Sequence, residues 1–378
     1  ELEKEAFASL VWPNPMEVSK RAKDFLTALS GEEVVFLNIG QFENKAGVSS
    51  VVGAQSKRVA GAAGESCSRV KGIEPIIMAD GPAGLRLNKE YVRTKDGVKP
   101  VGDTMPDWFA DYLPGVAKFA MEKVINRKPS KDVYTQYCTA IPIGTALAQS
   151  WSDEVCMTCG DVVGEEMEMF GVELWLAPAF NIHRTPLCGR NFEYCSEDPL
   201  ISGKVGAAIT NGVQKHKNCG TTIKHFCCNN QELSRYQNDS MVSERALREI
   251  YLKNFEICIR DSHPMALMTS YNLLNGEHTA EREDLLKGVL REEWGYEGLV
   301  MSDWIIAMMT DPSCKNRTTH SAPAMKAGNN VFMPGSVADY ERAFVALKGE
   351  SEEGYTLTRE EVEFNAAILC ETSWKLHE

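Results

Sequence analysis

Short apolar runs that stop abruptly on polar residues recur along this 378-residue sequence, and they constrain its fold more than any other feature. In order they are 75–80 (PIIMAD), 139–147 (TAIPIGTAL), 172–180 (VELWLAPAF), 221–225 (TTIKH), 266–270 (ALMTS), 298–303 (GLVMSD) and 330–334 (NVFMP). Such a run is what a strand covered on both faces requires, because neither side of it meets water. Between them lie stretches such as 153–170 (DEVCMTCGDVVGEEMEMF) and 243–260 (SERALREIYLKNFEICIR), whose apolar residues return at intervals of three and four and predict helices.

Strands alternating with helices imply a parallel sheet. No G-x-G-x-x-G follows the first run, so a doubly wound nucleotide-binding sheet is disfavoured and the fold class is α/β, a (β/α)8 TIM-type barrel. Its start is less regular. Residues 15 to 37 read as a lead-in helix interrupted at Ser30-Gly31, and the polar, Pro-containing stretch at about 88–137 reads as an inserted loop over the barrel mouth. The whole of 1–378 is read as one barrel domain, with no internal repeat and no low-complexity linker.

A formal charge of −13 argues against a nucleic-acid surface, which needs clustered Lys and Arg. No apolar run approaches the roughly 20 residues that span a bilayer. The twelve Cys lack the spacing of a small secreted disulfide framework. They read as structural thiols in a reducing, cytoplasmic compartment. His225, Cys227 and Cys228 could suggest a metal site, but the one C-x-x-C, Cys156 to Cys159, sits in a helical pattern with no second pair. No metal and no cofactor is expected. The chain begins at Glu1 without an initiator Met or a basic-then-apolar leader, as a processed or partial chain would.

A barrel brings the C-terminal ends of its strands to one mouth. The run ends supply Asp80 and Arg86 (DGPAGLR), Arg190 and Glu193 (GRNFE), Lys224 and His225 (KHF), Arg235, Tyr271 (SYN), and Asp303 with Trp304 (SDW). Gathered together, they make a polar pocket with an aromatic wall, suited to a sugar: hydroxyls pair with charged donors and acceptors, and Trp covers the apolar face of the ring. Asp303 would act as an ionised nucleophile toward the anomeric carbon, its charge favoured by nearby Lys and Arg. Each residue also has a plain structural alternative. Asp303 could cap the following helix, Asp80 could be a turn residue, Arg190 a buried partner of Glu193, and Tyr271 a packing residue at the rim.

The motifs DGPAGLR, GRNFEYCSEDPLISG, TIKHFCCNNQELSR, SYNLLNGEHTA, LLKGVLREEWGYEGLVMSDW and AGNNVFMPG together resemble glycoside hydrolase family three, its β-glucosidase-like members, from about residue 17 to about 345. The resemblance implies the family's barrel, with Asp303 as catalytic nucleophile and Asp80, Arg86, Arg190, Lys224, His225, Arg235, Tyr271 and Trp304 holding the sugar. N-acetylglucosaminidases of the family carry P-G-H-G after K-H-F, where this chain has Cys227-Cys228-Asn229-Asn230. The chain therefore resembles the other subgroup, whose acid/base Glu comes from a second, α/β sandwich domain. About 75 residues follow Asp303, so that domain is expected to lie outside this chain. A further departure is Asn329-Asn330, where an Asp is common before M-P-G; it bears on a contact behind the site.

The resemblance implies a retaining exo-β-glycosidase cleaving terminal β-linked glucose or a related sugar, acting on β-glucosides or short oligosaccharides such as cellobiose. A β-xylosidase or β-N-acetylglucosaminidase of the same family is the near alternative. Two readings of other kinds compete with it. A Schiff-base aldolase would use Lys224 as its amine nucleophile, and a sugar-binding barrel module would hold sugar without turning it over.

Overall fold

The structure, a computed structural model, describes residues 18–42, 56–101, 132–305, 311–351 and 353–378. It opens on two helices, α1 (Lys20–Thr27) and α2 (Gly31–Leu37). The lead-in helix is thus split at Ser30-Gly31, and its expected first residues, 15–17, lie outside the described residues. Ser30 caps α2: its hydroxyl accepts the Glu33 N–H while the Glu33 carboxylate accepts the Ser30 N–H, so two otherwise orphaned donors are satisfied reciprocally.

Strands β1 (Gly64–Glu65) and β2 (Ile77–Ala79) come next, followed by a three-stranded antiparallel sheet of β3 (Glu90–Thr94), β4 (Gly97–Val101) and β5 (Val133–Thr135). That sheet is what the described part of the expected 88–137 loop forms; residues 102–131 lie outside the described residues. Helices α3 (Gly144–Gln149) and α4 (Asp153–Phe170) lead to β6 (Leu174–Trp175), α5 (Pro199–Val213), β7 (Gly220–Phe226) and the short β8 (Asp239–Ser240). A helical stretch of Glu244–Ala246, a π turn at Leu247–Tyr251 and α6 (Lys253–Ser262) precedes β9 (Ala266–Thr269). The hairpin β10 (Leu273–Leu274) and β11 (Glu277–His278), a π-type helix Asp284–Glu293, β12 (Leu299–Met301), α7 (Ser321–Ala327), α8 (Val337–Leu347) and α9 (Arg359–His377) complete the order.

Six strands form one sheet in the order β1-β2-β6-β7-β9-β12, parallel except for β1, which runs antiparallel to β2. Two irregular segments continue it. Val331 bridges Met301 and Phe332 bridges Ile39, both in parallel. Gly40 N–H donates to Phe332 O, and Gln41 N–H donates to Glu65 O on β1, each at 2.9 Å. The sheet therefore closes as a barrel of eight staves, with the second reversed.

One expected strand is not there. Residues 139–143 are irregular and α3 begins at Gly144. Pro142 withholds a backbone donor from any ladder, and the run buries Ile141 and Leu147 without one. The staves at 38–41 and 64–65 carry no such apolar run, being short and, at Glu65, charged.

Registry explains the layering. Thr222 pairs with Ala266 and Ala266 with Leu299; one layer up, Lys224 pairs with Met268 and Met268 with Met301. Paired residues share a face, so these line the barrel interior. The alternating Ile223, Leu267 and Val300 face outward and pack with Val163, Ile209 and Phe255 of the surrounding helices. Apart from Thr222, these interior residues are apolar until they meet Lys224, where the barrel opens.

Candidate active site

All nine residues expected at the site line one cavity of about 830 Å³ at the C-terminal ends of the parallel strands. Asp80 directly follows β2. The turn after it is tight: Gly84 N–H donates to Gly81 O, and Arg86 N–H donates back to Asp80 O. Gly81 has φ +116°, and a Cβ there would lie 2.1 Å from Gly84 O, so only glycine fits. The turn folds Arg86 onto its own strand end, where its guanidinium meets Asp80 Oδ2 at 2.5 Å. Asp80 is a turn residue and a pocket residue at once.

Lys224 and His225 are adjacent in β7, yet both reach the cavity. Ideal pleating would send them to opposite faces, but the pairing with β9 shifts register between Lys224 and Phe226, and such an irregularity re-aims a side chain. The Lys224 ammonium is almost wholly buried and donates to Asp80 Oδ1 at 2.8 Å. Burial pushes the Asp80 carboxyl upward, but Lys224 and Arg86 outweigh it and hold it well below the usual carboxylate range.

Arg190 and Glu193 come from the loop after β6 and pair at 2.5 Å; Arg235 comes from the loop after β7 and donates to Glu232 at 3.0 Å. Arg190 is thus Glu193's partner as well as a cavity wall. The Arg235 guanidinium also lies 4.8 Å from the centre of the Tyr271 ring, which packs on Tyr236 at 4.2 Å. Tyr271 is buried. Burial, then the charge of Asp303, pushes its phenol upward.

Asp303 and Trp304 follow β12. The Trp304 indole N–H donates to Ala63 O at 3.1 Å, pinning the ring across the barrel to the reversed stave. Asp303 uses its two oxygens differently: Oδ1 accepts the Trp304 backbone N–H at 2.7 Å, while Oδ2 is buried with no hydrogen-bond partner among the described residues. That free oxygen stands 3.6 Å from His225 Nε2. Burial raises the Asp303 carboxyl above its ordinary value, against the opposing pull of Lys224, Arg190 and Arg235. The cations favour the charged form as expected, but desolvation exceeds them.

His225 is held from behind. Its backbone N–H donates to Asn181 Oδ1 and its carbonyl accepts from Asn181 Nδ2; its Nδ1 lies 3.3 Å from the Tyr194 hydroxyl. Burial and the cations Arg190, Lys224 and Arg235 press its pKa well below the ordinary value, so the ring is neutral. Asn181, Tyr194, Asn229 and Glu232 were not singled out from sequence. The available signals were local: Tyr194 adjoins Glu193, and Glu232 stands three residues before Arg235.

All twelve cysteines are free thiols, with Cys227 and Cys228 buried in the core. Among the described residues no helix is long and apolar enough to cross a membrane.

Residues 131–367 match the family model described as glycosyl hydrolase family 3 N terminal domain. Beta-glucosidase A of Butyrivibrio fibrisolvens is 51% identical over 166 residues, 44% of this chain and 20% of that protein. An exo-alpha-(1->6)-L-arabinopyranosidase of Bifidobacterium breve is 36% identical over 279 residues, 74% of this chain and 31% of that protein. The structure of beta-glucosidase 3B from Thermotoga neapolitana in complex with glucose is similar with a TM-score of 0.73 and 36% identity, covering 94% of this chain and 43% of that one. The chain thus spans less than half the length of these relatives.

Proposed function

Since the chain belongs to glycosyl hydrolase family 3, we propose that it is the barrel part of a retaining exo-β-glycosidase of the β-glucosidase type, with Asp303 as nucleophile. The observation that carries this reading is the inequality of the two Asp303 oxygens. Oδ1 is anchored by a backbone donor, and Oδ2 is buried without a hydrogen-bond partner among the described residues, at the wall of a cavity lined with sugar-pairing groups.

In this reading Asp80, Lys224, Arg190 and His225 hold the hydroxyls of the terminal sugar, Arg86 and Arg235 flank it, and Trp304 and Tyr271 form its apolar walls. Ionised Oδ2 attacks the anomeric carbon as the leaving-group oxygen takes a proton; water then cleaves the glycosyl–Asp303 ester with retention. Glucose as the glycone is supported by the glucose complex of the Thermotoga relative. The Schiff-base alternative loses ground because the Lys224 ammonium is engaged by Asp80.

The proton donor is sought elsewhere. The carboxylates lining the cavity among the described residues are Asp80, Glu193 and Asp303. Asp80 is ion-paired to Lys224 and Arg86, and Glu193 to Arg190, so neither is placed to give up a proton. A Glu from a second, α/β sandwich domain or chain would serve. Without it, departure of an acidic phenol needs little protonation while departure of a sugar needs much. The 378-residue chain is therefore expected to release nitrophenol slowly from an aryl β-glucoside, to leave cellobiose nearly untouched, and to gain cellobiose turnover when the partner domain is supplied. Rapid cellobiose hydrolysis by the chain alone would place the acid within it. Sugar binding with no aryl turnover would leave a binding module.

A further inference from the structure

Behind His225 runs a buried chain of polar groups whose hydrogens can be assigned one after another. The Glu232 carboxylate only accepts, so the Asn229 amide atom 3.0 Å from its Oε1 is the nitrogen. Turning that amide over would set its oxygen against the carboxylate, even though the present orientation leaves Oδ1 without a partner among the described residues. The same nitrogen lies 2.9 Å from the Tyr194 hydroxyl, which accepts from it.

The phenol proton must then go elsewhere. Among the described residues its remaining partner is His225 Nδ1, at 3.3 Å. Asn181 Oδ1 also stands 3.3 Å from Nδ1 and, with two lone pairs, has room to accept from it beside the His225 backbone N–H. Protonating Nδ1 to reach it would strand the proton of a fully buried tyrosine, and an unpaired buried donor is costly. The imidazole is neutral, so it carries one ring proton.

We propose that Glu232, Asn229 and Tyr194 are positioning residues that fix His225 as the Nε2–H tautomer, so that the ring presents a donor toward the free oxygen of Asp303. At 3.6 Å the two atoms are not yet hydrogen-bonded. A sugar hydroxyl entering beside them accepts from Nε2, and the oriented N–H also lowers the basicity of Oδ2. The consequence for catalysis rests on Asp303 being the nucleophile; the tautomer itself does not.

The test is nitrogen NMR of the 378-residue chain labelled with ¹⁵N-histidine, the His225 ring being assigned by its loss in His225→Gln. The expected result is one neutral tautomer with the proton on Nε2. In Tyr194→Phe, Nδ1 loses its donor and the proton moves to Nδ1, toward Asn181 Oδ1; Asn229→Ala should move it the same way. The Nε2 lone pair would then face Asp303, whose other charged or titratable neighbours are Lys224, Arg190, Arg235, Tyr236 and Tyr271. These stay in place, so the acidic limb of aryl glucoside hydrolysis moves to higher pH. A wild-type proton on Nδ1, or a tautomer unmoved in Tyr194→Phe, would overturn the proposal. The expected tautomers in a chain without glycosidase activity would leave it standing and remove only the functional reading.

Discussion

Asp303 and Asp80 sit in one cavity and titrate in opposite directions, and that contrast has consequences for stability. The Asp303 carboxyl is raised by burial. Its contribution to stability is complete below the unfolded value, about 3.9, and is lost as pH rises through the higher folded value; above that the buried charge opposes folding. Asp303→Asn, which resembles the neutral acid, should therefore raise the melting temperature at pH 7, with the gain disappearing in acid, while activity is lost. Asp80 behaves the other way. Lys224 and Arg86 depress it, so its contribution is present above about 3.9 and lost as pH falls through the folded value. Asp80→Ala would leave the Lys224 ammonium buried without its counter-charge. Charge-assisted hydrogen bonds are worth roughly 1.5–3 kcal/mol each, so glucose titrated calorimetrically should bind Asp80→Ala at least about tenfold more weakly. Unchanged affinity would return Asp80 to a turn role alone.

At the scale of elements, α4 and α5 pack closely because glycines face each other. A Cβ on Gly212 would stand 2.2 Å from Met157 O and 2.9 Å from Gly160 Cα. Alanine would favour the isolated helix by about 1 kcal/mol, but overpacking typically costs about 1–3 kcal/mol. With backbone as the obstacle, Gly212→Ala should lower the denaturation midpoint. The helices themselves were legible in sequence: the expected 153–170 forms as Asp153–Phe170, and 243–260 as the helical stretch from Glu244 to Ser262, with a π turn the periodicity did not signal. Strands were legible where they are buried on both faces, as at Gly220–Phe226 and Leu299–Met301. They were not where hydrogen bonds to neighbours, rather than apolar content, make the stave, as at Gly64–Glu65. The departure at Asn330 also acquires a setting: its Oδ1 accepts from Arg291 and from Val300 N–H, so a neutral amide stands against a buried cation behind β12. Burial lowers that guanidinium to about 10.

Across the whole molecule, closure of the barrel turns separate motifs into one cavity. Residues as far apart in sequence as Asp80, Lys224 and Asp303 were legible as a group because parallel strands must all present their C-terminal ends at one mouth. The supporting groups behind them were not, since Asn181, Tyr194, Asn229 and Glu232 act through contacts that no spacing encodes. The mouth itself carries exposed apolar side chains, with Tyr137 and Phe192 lining the cavity in an exposed setting. The cavity's proposed chemistry turns on a covalent bond between Asp303 and the sugar. It is tested most directly by incubating the chain with a 2-deoxy-2-fluoro β-glucoside bearing a dinitrophenolate leaving group, whose fluorine slows both steps while the leaving group keeps the first one feasible, and then sequencing the labelled peptide by mass spectrometry. One fluoroglucosyl unit on Asp303, absent in Asp303→Asn, is the predicted result. A label on another carboxylate, or release of the phenolate with unchanged efficiency from Asp303→Asn, would contradict it.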